Sequence, residues 1–133
     1  MNDIENHVFT YVSNAIKAQF PEAYVTGEYV RAPETFPCVN IVEQDNYIAT
    51  DHYSNSGRED FSVVMFEITV YSNKTFGKKS EAREIFKIAD MAMFELNFTR
   101  LSLSPIPNME DASIYRLVGR YRAETNGQTI YRR

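Results

Sequence analysis

Three arginines, Arg116, Arg120 and Arg122, stand in the run Tyr115-Arg116-Leu117-Val118-Gly119-Arg120-Tyr121-Arg122-Ala123. Even spacing places them with Val118 on one face of an extended strand, and puts Tyr115, Leu117, Gly119, Tyr121 and Ala123 on the other. A guanidinium fork binds carboxylates in bidentate fashion and meets phosphates by charge. The stacking aromatics that single-strand or RNA readout requires lie on the opposite face. Pairing with carboxylates, within or between chains, is therefore favoured, and no specific nucleic-acid readout is expected.

Other residue groupings carry less chemistry. Glu59-Asp60 and Glu110-Asp111 are adjacent pairs; neighbours on an extended chain point apart, so solvated surface is expected rather than a carboxylate dyad. Asp45, Asp51 and His52 form the one acid–histidine grouping, in a polar stretch from Asp45 to Gly57 that also carries Tyr47 and Tyr53. A mobile contact arm is the simpler reading of that stretch than a metal site. Cys38 is the single cysteine, which precludes an internal disulfide, and it opens an apolar run where a buried thiol behaves as a small hydrophobe. Met91 and Met93 read as packing rather than soft-metal ligands. The chain has no nucleotide-binding glycine loop, no Cys/His zinc spacing, no His-Glu-x-x-His, and no nucleophile elbow around Ser54 or Ser56. No catalytic residue, metal or cofactor is expected, and the chain is read as a non-enzyme.

These side chains need a scaffold, and 133 residues are enough for one domain with one ordinary core. The 44% hydrophobic and 24% charged content excludes wholesale disorder and a disulfide scaffold. Net charge is −4, which disfavours a general nucleic-acid coat. The charge is uneven: after Ala112 five arginines face Glu124 alone, a net of +4, while the first 112 residues hold nine basic and seventeen acidic residues, a net of −8. Such a chain can attract copies of itself head to tail. The opening Met1-Asn2-Asp3-Ile4-Glu5 is acidic where a secretory leader is basic. No apolar run reaches membrane-spanning length, so a cytoplasmic assembly site without membrane contact is expected.

Periodicity predicts a helix over Asp3–Phe20, with Asn2 and Glu5 in a capping pattern and Pro21 as its stop. A strand is expected over Ala23–Val30 with a bulge at Gly27, a loop over Ala32–Pro37, and a strand over Cys38–Glu43 before the polar arm. Glu59–Ser72 reads as the strongest strand. Val64, Phe66, Ile68 and Val70 form its core face, and Phe61, Val63 and Met65 make the first half of its other face apolar too. A second layer or a partner subunit must cover that half. A second helix is expected over Lys78–Leu96, then strands over Leu101–Ser104, Ser113–Glu124 and Thr129–Arg132, the last two joined through Asn126-Gly127. The order α-β-β-β-α-β-β-β predicts a single α+β domain, a mostly antiparallel twisted sheet with two helices packed on it.

Four stretches carry a family resemblance. They are the acidic opening helix; Phe36-Pro37-Cys38-Val39-Asn40-Ile41-Val42-Glu43 with the polar loop after it; Phe61 to Ser72 leading into Ser80-Glu81-Ala82-Arg83-Glu84-Ile85 to Leu96; and the arginine strand closing in Ile130-Tyr131-Arg132-Arg133. Together they resemble the tail terminator (tail completion) proteins of long-tailed phages that infect Gram-positive bacteria. The resemblance implies a virion structural protein made in the host cytoplasm. It would form a ring, expected to be a hexamer, at the head-proximal end of the tail tube. There the ring ends tube growth and offers a surface to the head connector. Its partners would be further copies of itself, the tail tube protein and the connector protein. Arg116, Arg120, Arg122, Phe61, Val63 and Met65 are then the expected subunit interface. Asp45, Tyr47, Asp51, His52 and Tyr53 are the expected contact with tube or connector. A neighbouring head–tail connector protein is the alternative within that class. A small ligand-binding or enzymatic α+β domain is the alternative outside it.

Overall fold

A computed structural model describes residues 1–48, 61–107 and 111–131. The elements in chain order are α1 (Glu5–Gln19), β1 (Tyr24–Thr26), β2 (Cys38–Ile48), β3 (Ser62–Ser72), α2 (Lys78–Glu95), β4 (Thr99–Pro105), β5 (Tyr115–Thr125) and β6 (Ile130–Tyr131). They form one mostly antiparallel sheet in the order β1-β2-β3-β5-β4, with β6 paired to β5 and two helices packed on the sheet. This is the α+β fold expected from the pattern. Among the described strands the one parallel pair is β1 with β2.

β3 is the centre of the sheet. β5 pairs with it from Ser62↔Thr125 to Ser72↔Tyr115, and β2 pairs from Cys38↔Tyr71 to Ile48↔Ser62. Side chains alternate across a strand, so Val64, Phe66, Ile68 and Val70 all point to the helix side, and all are fully buried there. Val8, Val12 and Ile16 of α1 and Ala82, Ile85, Phe86, Ala89, Ala92 and Met93 of α2 complete a single core with them. Phe98 closes one side, its ring edge-on to Phe66 at 5.5 Å between centroids.

α2 lies close to β5 because Gly119 has no side chain. A Cβ there would stand 2.3 Å from Phe86 Cζ. The Phe86 ring instead rests on the strand and stacks against Tyr121 at 6.4 Å. The Tyr121 hydroxyl donates to Asp90 Oδ1 of α2 at 2.8 Å, and Arg100 of β4 reaches the same oxygen at 3.4 Å. α2 then stops in a Schellman turn. Asn97 takes a left-handed φ of 71°, its N–H reaches the Phe94 carbonyl, and the Phe98 N–H reaches that of Met93.

Several expectations need correction. Asn2 does not cap α1, which has no side-chain cap. Its amide donates to Ser62 Oγ and to the Thr125 carbonyl, so it ties the start of the chain to the ends of β3 and β5. The strand expected over Ala23–Val30 is only Tyr24–Thr26, because Thr26 Oγ1 accepts from the Glu28 N–H and turns the chain out of the sheet. β2 does not stop at Glu43. It absorbs an extra residue between Glu43 and Asp45 and pairs on through Ile48, so Asp45 and Tyr47 belong to a strand rather than a loop. β4 extends through Pro105, tolerated because an edge strand needs no outward donor there. The Asn126-Gly127 hairpin closes through a longer loop in which Asn126 Oδ1 accepts from the N–H groups of Gln128 and Thr129.

Gly119→Ala is expected to destabilise the fold by about 1–3 kcal/mol through overpacking against Phe86. Urea denaturation of the two proteins measures this, and an unchanged midpoint would show that Phe86 has another place to go.

Candidate subunit interface

Among the described residues both helices sit on one side of the sheet, and none covers the other side. The register sorts that open face into rows. Cys38, Tyr71 and Arg116 form one; Asn40, Thr69, Val118 and Ser104 the next; then Val42, Glu67, Arg120 and Ser102; then Asp45, Met65, Arg122 and Thr99; and last Tyr47, Val63, Glu124 and Tyr131. The three arginines expected to share a face do so, lined along β5.

Their surroundings differ. Arg120 Nε donates to Glu67 Oε2 at 3.1 Å, and Gln44 Nε2 donates to the same oxygen at 3.0 Å. Arg120 is about half exposed and Glu67 is not; an exposed pair of this kind contributes about 0–1 kcal/mol. Arg116 lies over the Tyr71 ring, 5.8 Å from its centroid, a cation–π arrangement. Tyr71 is fixed from the far side by donating its hydroxyl to the Val30 carbonyl at 3.1 Å, and burial pushes its pKa up to about 12. Among the described residues, Arg116 Nε is buried without a hydrogen-bond partner, and neither Arg116 nor Arg122 makes an ion pair.

The apolar residues of the expected interface separate. Met65 and Phe61 are half-buried, and Phe61 packs on the Tyr131 ring at 5.7 Å. Val63 is only 2% exposed within the single chain. It is buried inside the single chain, between Tyr47 of β2 and Glu124 of β5 in its row, rather than on an open contact surface. Of the expected contact arm, Asp45 is exposed and Tyr47 is 44% exposed, both on β2. Asp51, His52 and Tyr53 lie outside the described residues.

A feature the sequence reading missed is a cluster of carboxylates beside the bulge of β2. Asn46 Nδ2 donates to the Asn2 carbonyl at 2.9 Å and holds the start of the chain against this strand. Glu43 is consequently raised above the ordinary carboxylate pKa, chiefly by burial, and further by the negative charges of Glu5, Asp3 and Asp45; a hydrogen bond from Asn46 opposes this. None of these four acids makes an ion pair among the described residues. The four are forty residues apart in pairs, and only the fold of the opening segment onto β2 joins them.

Other sites offer little chemistry. Cys38 is fully buried, its Sγ–H directed at Asn40 Oδ1, and burial pushes its pKa up to about 11, which keeps the thiol protonated and unreactive. A cleft of about 270 Å³ beside α2 and β4 is lined by Arg83, Phe86, Lys87, Asp90, Arg100, Leu103 and Leu117. Met93 is core, whereas Met91 is 60% exposed. Among the described residues no His, Cys, Asp and Glu group is disposed to hold a metal ion, and no helix is long and apolar enough to cross a membrane. No protein-family model and no curated protein matches the chain.

Glu43→Gln is expected to raise the melting temperature at neutral pH. The native pKa of Glu43 lies above its unfolded value, so the native state binds the extra proton and loses stability as pH rises through that window. The gain from Gln is full above the raised native pKa and vanishes below the ordinary value of 4.5. Melting curves at several pH values check the sign, and a gain that grew towards acid pH would contradict the assignment.

Proposed function

We propose that this chain is a structural subunit of a phage tail. It would assemble as a ring at the head-proximal end of the tail tube, end tube growth and present the head-joining surface. The observation that carries this reading is the one-sided sheet. Its helix-free face displays a line of arginines, two of them without an ion pair among the described residues. A face of this kind is completed by another protein surface, and an acidic chain can supply that surface from further copies of itself.

The likeness to tail terminator proteins supplies the place of the ring on the tube. In this reading Tyr47, exposed on the far end of β2, faces the tube or connector. Two clefts favour a small-ligand domain instead: one of about 270 Å³ beside α2 and β4, and a shallower one of about 410 Å³ between α1 and α2, lined by Ala15, Ile88, Met91 and Glu95. Both are open to solvent rather than enclosed, as sites that bury most of a ligand are not, so they weigh less than the open sheet face.

Negative-stain electron microscopy of the protein, alone and mixed with tail tube protein, tests the proposal. Rings, or tubes capped at one end and halted in growth, are the expected outcome. Neither rings nor any effect on tube ends would overturn it, and binding to the connector without an effect on tubes would move the assignment to the neighbouring connector role.

A further inference from the structure

Two sets of unmatched charge lie on different parts of this molecule. Arg116 and Arg122 stand on β5, on the helix-free face, without an ion pair among the described residues. Asp3, Glu5, Glu43 and Asp45 gather where the chain start crosses the bulge of β2, and they too lack any ion pair there. β1 pairs only with Cys38–Asn40. Among the described residues, β2 from Ile41 to Ile48 therefore has no neighbour on its outer side, and the acids flank that free edge.

Within one chain the two sets do not meet. Arg122 and Asp45 share a row, but Met65 of β3 stands between them, and two strand spacings separate them by roughly 10 Å. Glu43, opposite Phe66, points to the helix side of the sheet, and Asp3 and Glu5 lie at the start of α1. A charge set that its own chain leaves unmatched is satisfied by solvent or by a second molecule, and here the second copy carries its complement.

We propose that the arginine face around Arg116 and Arg122 docks onto the Asp3, Glu5, Glu43 and Asp45 cluster of another copy of this chain, head to tail. The contact is heterologous, because two different patches meet and each copy offers one to each neighbour; such contacts form a ring when the rotation between copies closes, and the closure is taken from the ring reading. Desolvation of clustered acids is offset when guanidinium groups enter among them. The inference rests on the ring reading above and adds which surfaces meet.

Charge reversal with rescue tests it. Sedimentation velocity and electron microscopy would follow self-association of Arg122→Glu, of Glu5→Lys with Asp45→Lys, and of all three changes together. These positions are at the surface or half-buried, and far-UV circular dichroism with a melting curve verifies folding. Arg122→Gln, which keeps much of the stem, is a milder control. Each reversal is expected to weaken association by about tenfold or more, and Arg122→Gln by less. The combined variant is expected to recover to within about threefold of the wild type, as a coupled pair does in a double-mutant cycle. Wild-type association that weakens as salt rises would agree, since exposed charges are screened. Rings that are indifferent to every reversal would overturn this docking and leave the ring reading standing; the acids would then serve only to keep the free edge of β2 from pairing. A folded wild type that never associates, alone or on tube ends, would overturn the ring reading and this inference together.

Discussion

β3 has paired neighbours on both sides, β5 along its whole length and β2 from Ser62 to Tyr71. Every other feature of the molecule follows from how its two faces are covered. Its 11 residues span roughly 37 Å at strand rise, about the full width of a domain this size. The face holding Val64, Phe66, Ile68 and Val70 is apolar throughout and draws both helices onto it. The opposite face holds Val63, Met65, Glu67, Thr69 and Tyr71 and, among the described residues, receives no helix. The sheet is therefore asymmetric, with a packed core below and a mixed polar surface above.

The helix side is held by close fit rather than by charge. Gly119 lets Phe86 down onto β5, and Tyr121 hooks Asp90 from below while Arg100 holds it from the rim. Two helices of about 10 Å diameter cover roughly four strands at their usual spacing. The outermost strand, β4, is left at the margin, which is why a cleft opens between it and α2. β4 carries both a register irregularity after Arg100 and Pro105, features that discourage another strand from adding to an edge.

On the open face, register turns a one-dimensional alternation into a pattern of charge. The arginines of β5 meet whatever β3 places opposite them: Tyr71 for Arg116, Glu67 for Arg120 and Met65 for Arg122. One is paired, one is stacked and one is unmatched, although all three occupy equivalent positions along the strand. The bulge in β2 has a parallel effect. The extra residue swings Gln44 towards Glu67, and pairing then resumes with Asp45 opposite Met65. Acid and base thus end on the two flanks of β3.

Much of the architecture was legible in the residues themselves. Helical spacing in Ile4–Ile16 and Ile85–Leu96, strict alternation in Val64–Val70, and the apolar and arginine faces of β5 are local periodicities, and local periodicity determines which element forms and which face it buries. The element order, the class of fold and the shared face of Arg116, Arg120 and Arg122 follow from that alone. The partners of those residues do not. That Glu67 meets Arg120, that Asn2 abandons a helix cap to join Ser62 with the Thr125 carbonyl, that Asp45 continues a strand, and that Asp3 and Glu5 crowd Glu43 all depend on pairing register and on contacts between residues about 20 to 120 positions apart. Such contacts cannot be read from spacing. A shift of one residue in register changes every opposite number, and only the packed structure selects one register among them.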